Sequence, residues 1–137
     1  MGEVRVKVKI TNAADEVMAR RGQMKPEDVR SYEADAMVDT GAVQTVLPPD
    51  VVKILGLATP EQRSVRYADE RAGVVPVTEA IVVEMNNRRT SDEGLVLGGE
   101  VLIGQTILEK LDLHVDCANQ RVIPNPANPD QAIVKVK

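Results

Sequence analysis

The 137-residue chain predicts a mainly β domain with two or three short helices. Valine fills 22 positions, Phe and Trp are absent, and only Tyr32 and Tyr67 are aromatic, so the core must be built from small branched aliphatics, which favour pleated strands. Segments of two-residue alternation recur along the chain, separated by Gly, Pro, Asn and Asp clusters that break regular structure. Eight Pro and nine Gly are an ordinary share for a globular chain, and the length suits a single domain spanning 1–137.

Each element has its own signal. Val4, Val6, Val8 and Ile10 alternate with Arg5, Lys7 and Lys9, which predicts a half-buried strand over 3–10. Asn12 and Asp15 start a short helix that runs to Ala19 before Gly22 and Lys25-Pro26 interrupt it, and 11–32 reads as an insertion in a sheet protein. Residues 34–39 are extended again and run into Thr40-Gly41-Ala42, which places Asp39 at a strand end. Pro48, Pro49 and Asp50 open a second helix that Gly56 closes. Val65 and Tyr67 flank Arg66, a polar turn covers 68–73, and one long strand covers 74–85, so a hairpin with a charged tip is expected. Residues 86–94 read as a solvated turn, and 95–97 and 101–103 as buried strands around Gly98-Gly99. Ile107, Leu108 and Leu111 have the spacing of a third helix. The runs 113–116, 121–123 and 133–136 are extended, the last lying in a tail, 124–137, suited to an interface strand.

Composition excludes several functions. The net charge is -4, there is no basic stripe, and aromatic side chains to stack on bases are nearly lacking, so no nucleic-acid partner is expected. The lone Cys117 cannot form an internal disulfide and reads as a small buried hydrophobe. Neither a leader nor a long apolar run is recognisable, so no membrane association is expected and a cytoplasmic setting is. With His114 as the only histidine and no HExxH, CxxC, GxSxG or P-loop pattern, no metal and no cofactor are expected. His114 and Cys117, three apart on one strand, point to opposite faces and cannot pair.

One constellation stands out, Met37-Val38-Asp39-Thr40-Gly41-Ala42 followed by the apolar run Thr45-Val46-Leu47. An Asp-Thr-Gly triplet alone occurs by chance in roughly a few per cent of chains this long. A second element, Leu102-Ile103-Gly104, leads into a helix well downstream, and Tyr67-Ala68-Asp69 with Gly73 lies between the two.

In this order the motifs resemble the retropepsin-like aspartic proteases, in particular their small single-domain prokaryotic members, and the resemblance covers most of the chain. It implies a small closed β-barrel. Asp39 would be catalytic, with Thr40, Gly41 and Ala42 supporting its loop and Thr40 bonding across a twofold axis. Leu102, Ile103 and Gly104 would form a second loop threading past the first, and Tyr67, Ala68 and Asp69 would belong to a flap over the substrate. Peptide hydrolysis by this route needs two carboxylates sharing one proton. The chain has a single Asp-Thr-Gly, since Val115-Asp116-Cys117 lacks the glycine, so the resemblance implies a homodimer with one Asp39 from each subunit, acting on extended peptide or protein segments.

The chain departs from the retroviral pattern in two places. Val43 and Gln105 replace an Asp and an Arg that pair there, and their joint loss leaves no unpaired buried charge. Asp69-Glu70-Arg71-Ala72 makes a charged flap tip where retroviral flaps are glycine-rich. Ala42 offers no hydroxyl to the carboxylate, which implies an activity optimum that is only weakly acid. These departures keep a rival reading open, a dimeric peptide-binding or scaffolding module without turnover, and a start close to the first strand suits a domain cut from a precursor.

Overall fold

A computed structural model describes residues 3–136. Its elements are β1 (Arg5–Asn12), α1 (Ala13–Arg20), a single 3₁₀ turn at Pro26–Asp28, β2 (Ser31–Val38), β3 (Thr45–Leu47), α2 (Pro49–Ile54), β4 (Glu61–Arg66), β5 (Ala72–Val77), β6 (Ile81–Met85), β7 (Arg88–Asp92), β8 (Gly94–Val96), β9 (Leu102–Ile103), α3 (Gln105–Leu111), β10 (Leu113–Asp116) and β11 (Arg121–Pro124). The domain is mainly β with three α-helices, as its composition implies.

Nine strands form one sheet in the order β4-β5-β8-β3-β9-β2-β1-β6-β7, and β10 pairs with β11 separately. The expected closure into a barrel does not occur, because among the described residues the end strands β4 and β7 do not pair. Closure is prevented where the β4–β5 hairpin leaves the sheet. β5 meets β8 only through Val77↔Leu95, and the rest of the hairpin pairs with itself from Glu61↔Val77 to Arg66↔Ala72.

Local chemistry accounts for the elements. Along β1, Val6, Val8 and Ile10 face the core while Lys7 and Lys9 face outward, as the alternation requires. The Asn12 side chain caps α1 by accepting from the Asp15 N–H at 3.1 Å, and its own amide donates to the Leu55 carbonyl at 2.8 Å. Asp15 and Glu16 lie in the first turn of α1 and Arg20 in its last, each complementing the helix dipole. Gly56, at φ 61, ends α2.

Two further sequence expectations are corrected. The single strand over 74–85 is broken at 78–80, where the Thr78 N–H donates to the Gly94 carbonyl and the Glu79 N–H to the Ala58 carbonyl, both at 2.9 Å. Residues 86–94 are mostly strand: Asn86 and Asn87, at φ 51 and 60, make a two-residue turn, and β7 pairs back along β6. Residues 133–136, expected as an interface strand, are exposed and pair with no strand of their own chain.

The core contains Ile10, Leu47, Leu55, Ile81, Val83, Ile103, Ile107 and Leu111, all essentially inaccessible. Each such side chain contributes roughly 1.5–3 kcal/mol by its removal from water. Their joint effect is to join β1, β6 and β9 to the helices α2 and α3 through one core.

Candidate functional site

β2 and β3 follow each other in sequence yet do not pair. β9 lies between them, parallel to β2 through Met37↔Leu102 and Val38↔Ile103 and antiparallel to β3 through Val46↔Leu102. The connection 39–44 must therefore cross the end of β9, which carries Asp39 and Gly104 to the same place. The Asp39 N–H donates to the Ile103 carbonyl at 2.9 Å, the Gln105 N–H to the Ala42 carbonyl at 2.8 Å, and the Thr106 N–H to the Val43 carbonyl at 3.2 Å. Gly104 is buried under this crossing, and a Cβ on it would lie 2.8 Å from the Ala42 oxygen and from the carbonyl atoms of Val43. Backbone hydrogen bonds thus hold the two loops together at Val43 and Gln105.

Asp39 is half-buried on this crossing, and its Oδ1 accepts from the Gly41 N–H at 2.9 Å. The Ala42 N–H donates to the Asp39 carbonyl at 3.1 Å, closing the tight turn that Gly41 occupies. Thr40 and Val43 are exposed beside it, Val43 by 69%. A depression of about 320 Å³ opens next to Asp39 and is lined by Val4, Met37, Val38, Thr40, Val115 and Cys117. Cys117 is exposed there, just past β10, and is not the buried hydrophobe its type suggested, because the turn after Asp116 carries it out of the sheet. Larger depressions, of about 590 and 570 Å³, lie over the charged faces of β1 and α1 and do not include Asp39.

The β4–β5 hairpin carries Tyr67, Ala68 and Asp69 at its tip. The Tyr67 N–H donates to the Arg71 carbonyl at 2.8 Å and the Glu70 N–H to the Tyr67 carbonyl at 2.9 Å, with Glu70 in the left-handed region at φ 70. The tip is paired with itself: Arg71 meets Asp69 at 2.6 Å and stands 5.1 Å from the centre of the Tyr67 ring. Tyr67 packs over Gly73, where a Cβ would come within 3.0 Å of the ring. Ala68 and Asp69 are exposed.

Sequence reasoning missed the tie between this hairpin and the Asp39 loop. Arg63 and Val65 are the half-buried positions of alternating β4, and Arg63 donates to the Gln44 side-chain oxygen at 2.6 Å while approaching Glu93 at 3.4 Å. Beside it, the fully buried Thr45 hydroxyl donates to Asp92 at 2.8 Å. The only hint in the sequence was a polar residue at an inward strand position, because the partners are far apart along the chain.

No metal-ligating cluster of His, Cys, Asp or Glu occurs among the described residues, nor any helix long and apolar enough to cross a membrane. No protein-family model matches the sequence, and no curated protein shows a significant match. Among solved structures, the chain is similar to the retroviral protease-like domain of Ddi1 from Leishmania major, with 12% identity over 92% of this chain and 90% of that one and a TM-score of 0.55. A retropepsin-like aspartic protease from Rickettsia conorii is matched at 16% identity over 85% of this chain and 89% of that one, with a TM-score of 0.46. The first likeness shows that the fold is that of retroviral protease-like domains.

Proposed function

We propose that this chain is one half of an aspartic endopeptidase, completed by a second copy related by a twofold axis. The observation that carries the reading is Asp39 itself, a half-exposed carboxylate on a loop locked across the end of β9, with one oxygen held by the Gly41 N–H. A solitary carboxylate cannot serve as both base and acid, whereas two at close range share one proton because both cannot ionise together. In the pair, the ionised Asp39 takes a proton from water as its oxygen attacks the peptide carbonyl carbon, and the protonated Asp39 gives its proton to the carbonyl oxygen. The resulting gem-diol then collapses: the C–N bond breaks as the proton first taken from water passes to the leaving amine nitrogen, and the other Asp39 takes a proton back from a gem-diol hydroxyl, leaving the carboxylic acid product and the pair again sharing one proton.

The β4–β5 hairpin would cover an extended peptide, whose main chain offers strand-like hydrogen bonds regardless of sequence. No metal or cofactor enters these steps. The free, exposed Cys117 suits a reducing cytoplasm.

A second reading, a dimeric peptide-binding module without turnover, is favoured by the hairpin tip, whose Asp69–Arg71 pair closes on itself. One experiment separates the two. Asp39→Asn should lower cleavage of an unstructured protein substrate by about 10² to 10⁴-fold while leaving peptide binding intact. Cleavage that persists in the variant would mean that Asp39 is not the acid–base group, and binding without cleavage in the parent protein would leave the module reading.

A further inference from the structure

Strand register places four residues in a row at the end of the sheet that carries Asp39. β2 pairs with β9 through Val38↔Ile103, β9 with β3 through Val46↔Leu102, and β3 with β8 through Thr45↔Gly94. Continued just past these pairs, the register sets Asp39, Gly104, Gln44 and Glu93 at one level on four neighbouring strands. Gln44 therefore stands two strand spacings from Asp39, roughly 10 Å, and Glu93 one spacing farther out.

The hairpin reaches down on this row at its outer end. Arg63, a half-buried position of β4, donates through one terminal nitrogen to the Gln44 Oε1 at 2.6 Å and brings the other to 3.4 Å from Glu93. Because Gln44 uses its oxygen on Arg63, its amide NH2 is turned away from the guanidinium, and no acceptor among the described residues takes it. Glu93 is the one carboxylate in contact with Arg63, at a long distance and with both side chains about two-fifths exposed. The neighbouring Asp92 is occupied by the Thr45 hydroxyl. Donors thus exceed acceptors around Gln44, and the guanidinium charge is only loosely balanced.

We propose that Gln44 and Arg63 form a subsite that selects an acidic side chain, Asp or Glu, about three residues from the bond that is cut. The spacing follows from the roughly 10 Å between Asp39 and Gln44, since an extended peptide advances about 3.3 Å per residue. A carboxylate there accepts from the Gln44 NH2 and from the Arg63 fork together, a planar arrangement that a guanidinium recognises well. A Lys side chain meets donors at the same place. The inference rests on the paired-site reading above and names its substrate class, and a twofold pair carries one such subsite on each side of the scissile bond.

The test starts from the bonds that the parent protein cuts in an unstructured protein, read by mass spectrometry. Peptides spanning the best of them are remade with Asp, Asn or Lys at each position in turn, and kcat/KM is measured for each. Asp should be favoured over Lys by about tenfold near the third residue on both sides of the bond, with Asn between them, and added salt should narrow the ratio. Gln44→Glu keeps an acceptor for Arg63 but offers no donor, so it should abolish or reverse the preference. Glu93→Gln removes the carboxylate that competes for Arg63 and should widen the preference, a gain that structural damage would not produce. Equal rates for Asp and Lys peptides in the parent, or a ratio unmoved by both substitutions, would overturn the subsite alone. A parent that cuts no bond at all would overturn the paired site and the subsite with it.

Discussion

At the level of single residues, Gly104 is small for reasons of space. Its φ of -94 is open to any residue, but a Cβ would press on the backbone of Ala42 and Val43 at 2.8 Å. Asp15 illustrates a different constraint. Its carboxylate, 3% exposed, takes the Arg30 guanidinium through Nε at 2.8 Å and NH2 at 2.9 Å, and accepts the Arg30 N–H at 3.0 Å. The Arg30 side-chain hydrogen bond is the main cause that lowers the Asp15 pKa, and burial opposes it. Because the folded pKa lies below the unfolded value, the pair contributes fully above about pH 5 and fades as the pH falls through the reference Asp pKa of about 3.9 toward the folded pKa. Asp15→Asn should therefore cost about 2 kcal/mol in urea unfolding at neutral pH, and the gap between the two proteins should narrow in acid. Asp39 and Gly104 were legible because each belongs to a short motif with chemical meaning. Asp15 looked like an ordinary helix-start residue, since the Arg that completes it lies beyond the 3₁₀ turn.

Among the elements, the β4–β5 hairpin is the one that the proposed activity would depend on most. Its tip is stiffened by its own charges, and its base is tied to the Asp39 loop through Arg63 and Gln44. Arg63→Ala should loosen the hairpin. Hydrogen exchange across 61–77 should quicken, and kcat/KM should fall about tenfold with Tm changed by only a few degrees, because a partly exposed pair contributes little to global stability. An unchanged kcat/KM would show that the hairpin moves independently of the loop. The hairpin itself was readable from its alternation and polar turn. β7 was not, because Arg88-Arg89-Thr90-Ser91-Asp92 has no apolar face, and its pairing is imposed by the Asn86-Asn87 turn and by β6. Intrinsic preference gave no warning of a strand that neighbours enforce.

For the molecule as a whole, valine richness and alternation were enough to announce a mainly β fold, but the openness of the sheet was not readable. Whether a sheet closes depends on where its end strands lie, and a one-pair junction such as Val77↔Leu95 leaves no trace in the residue pattern. The same scale governs assembly. If two chains must meet to build one site, specific activity should rise with protein concentration below the dimer dissociation constant and level off above it. A dilution series of initial rates measures this, and specific activity that stays constant down to concentrations where sedimentation finds only monomer would exclude a shared site.

The placement of β9 between β2 and β3 also governs when the protein can first become competent. Leu102 and Ile103 are made long after Met37 and Val38, yet the crossing that carries Asp39 has nothing to lie across until they arrive. Such distant pairing forms slowly. A chain still emerging from the ribosome therefore carries a slack, unformed Asp39 loop until β9 has followed it out, and on the reading proposed above no carboxylate is placed for work before then.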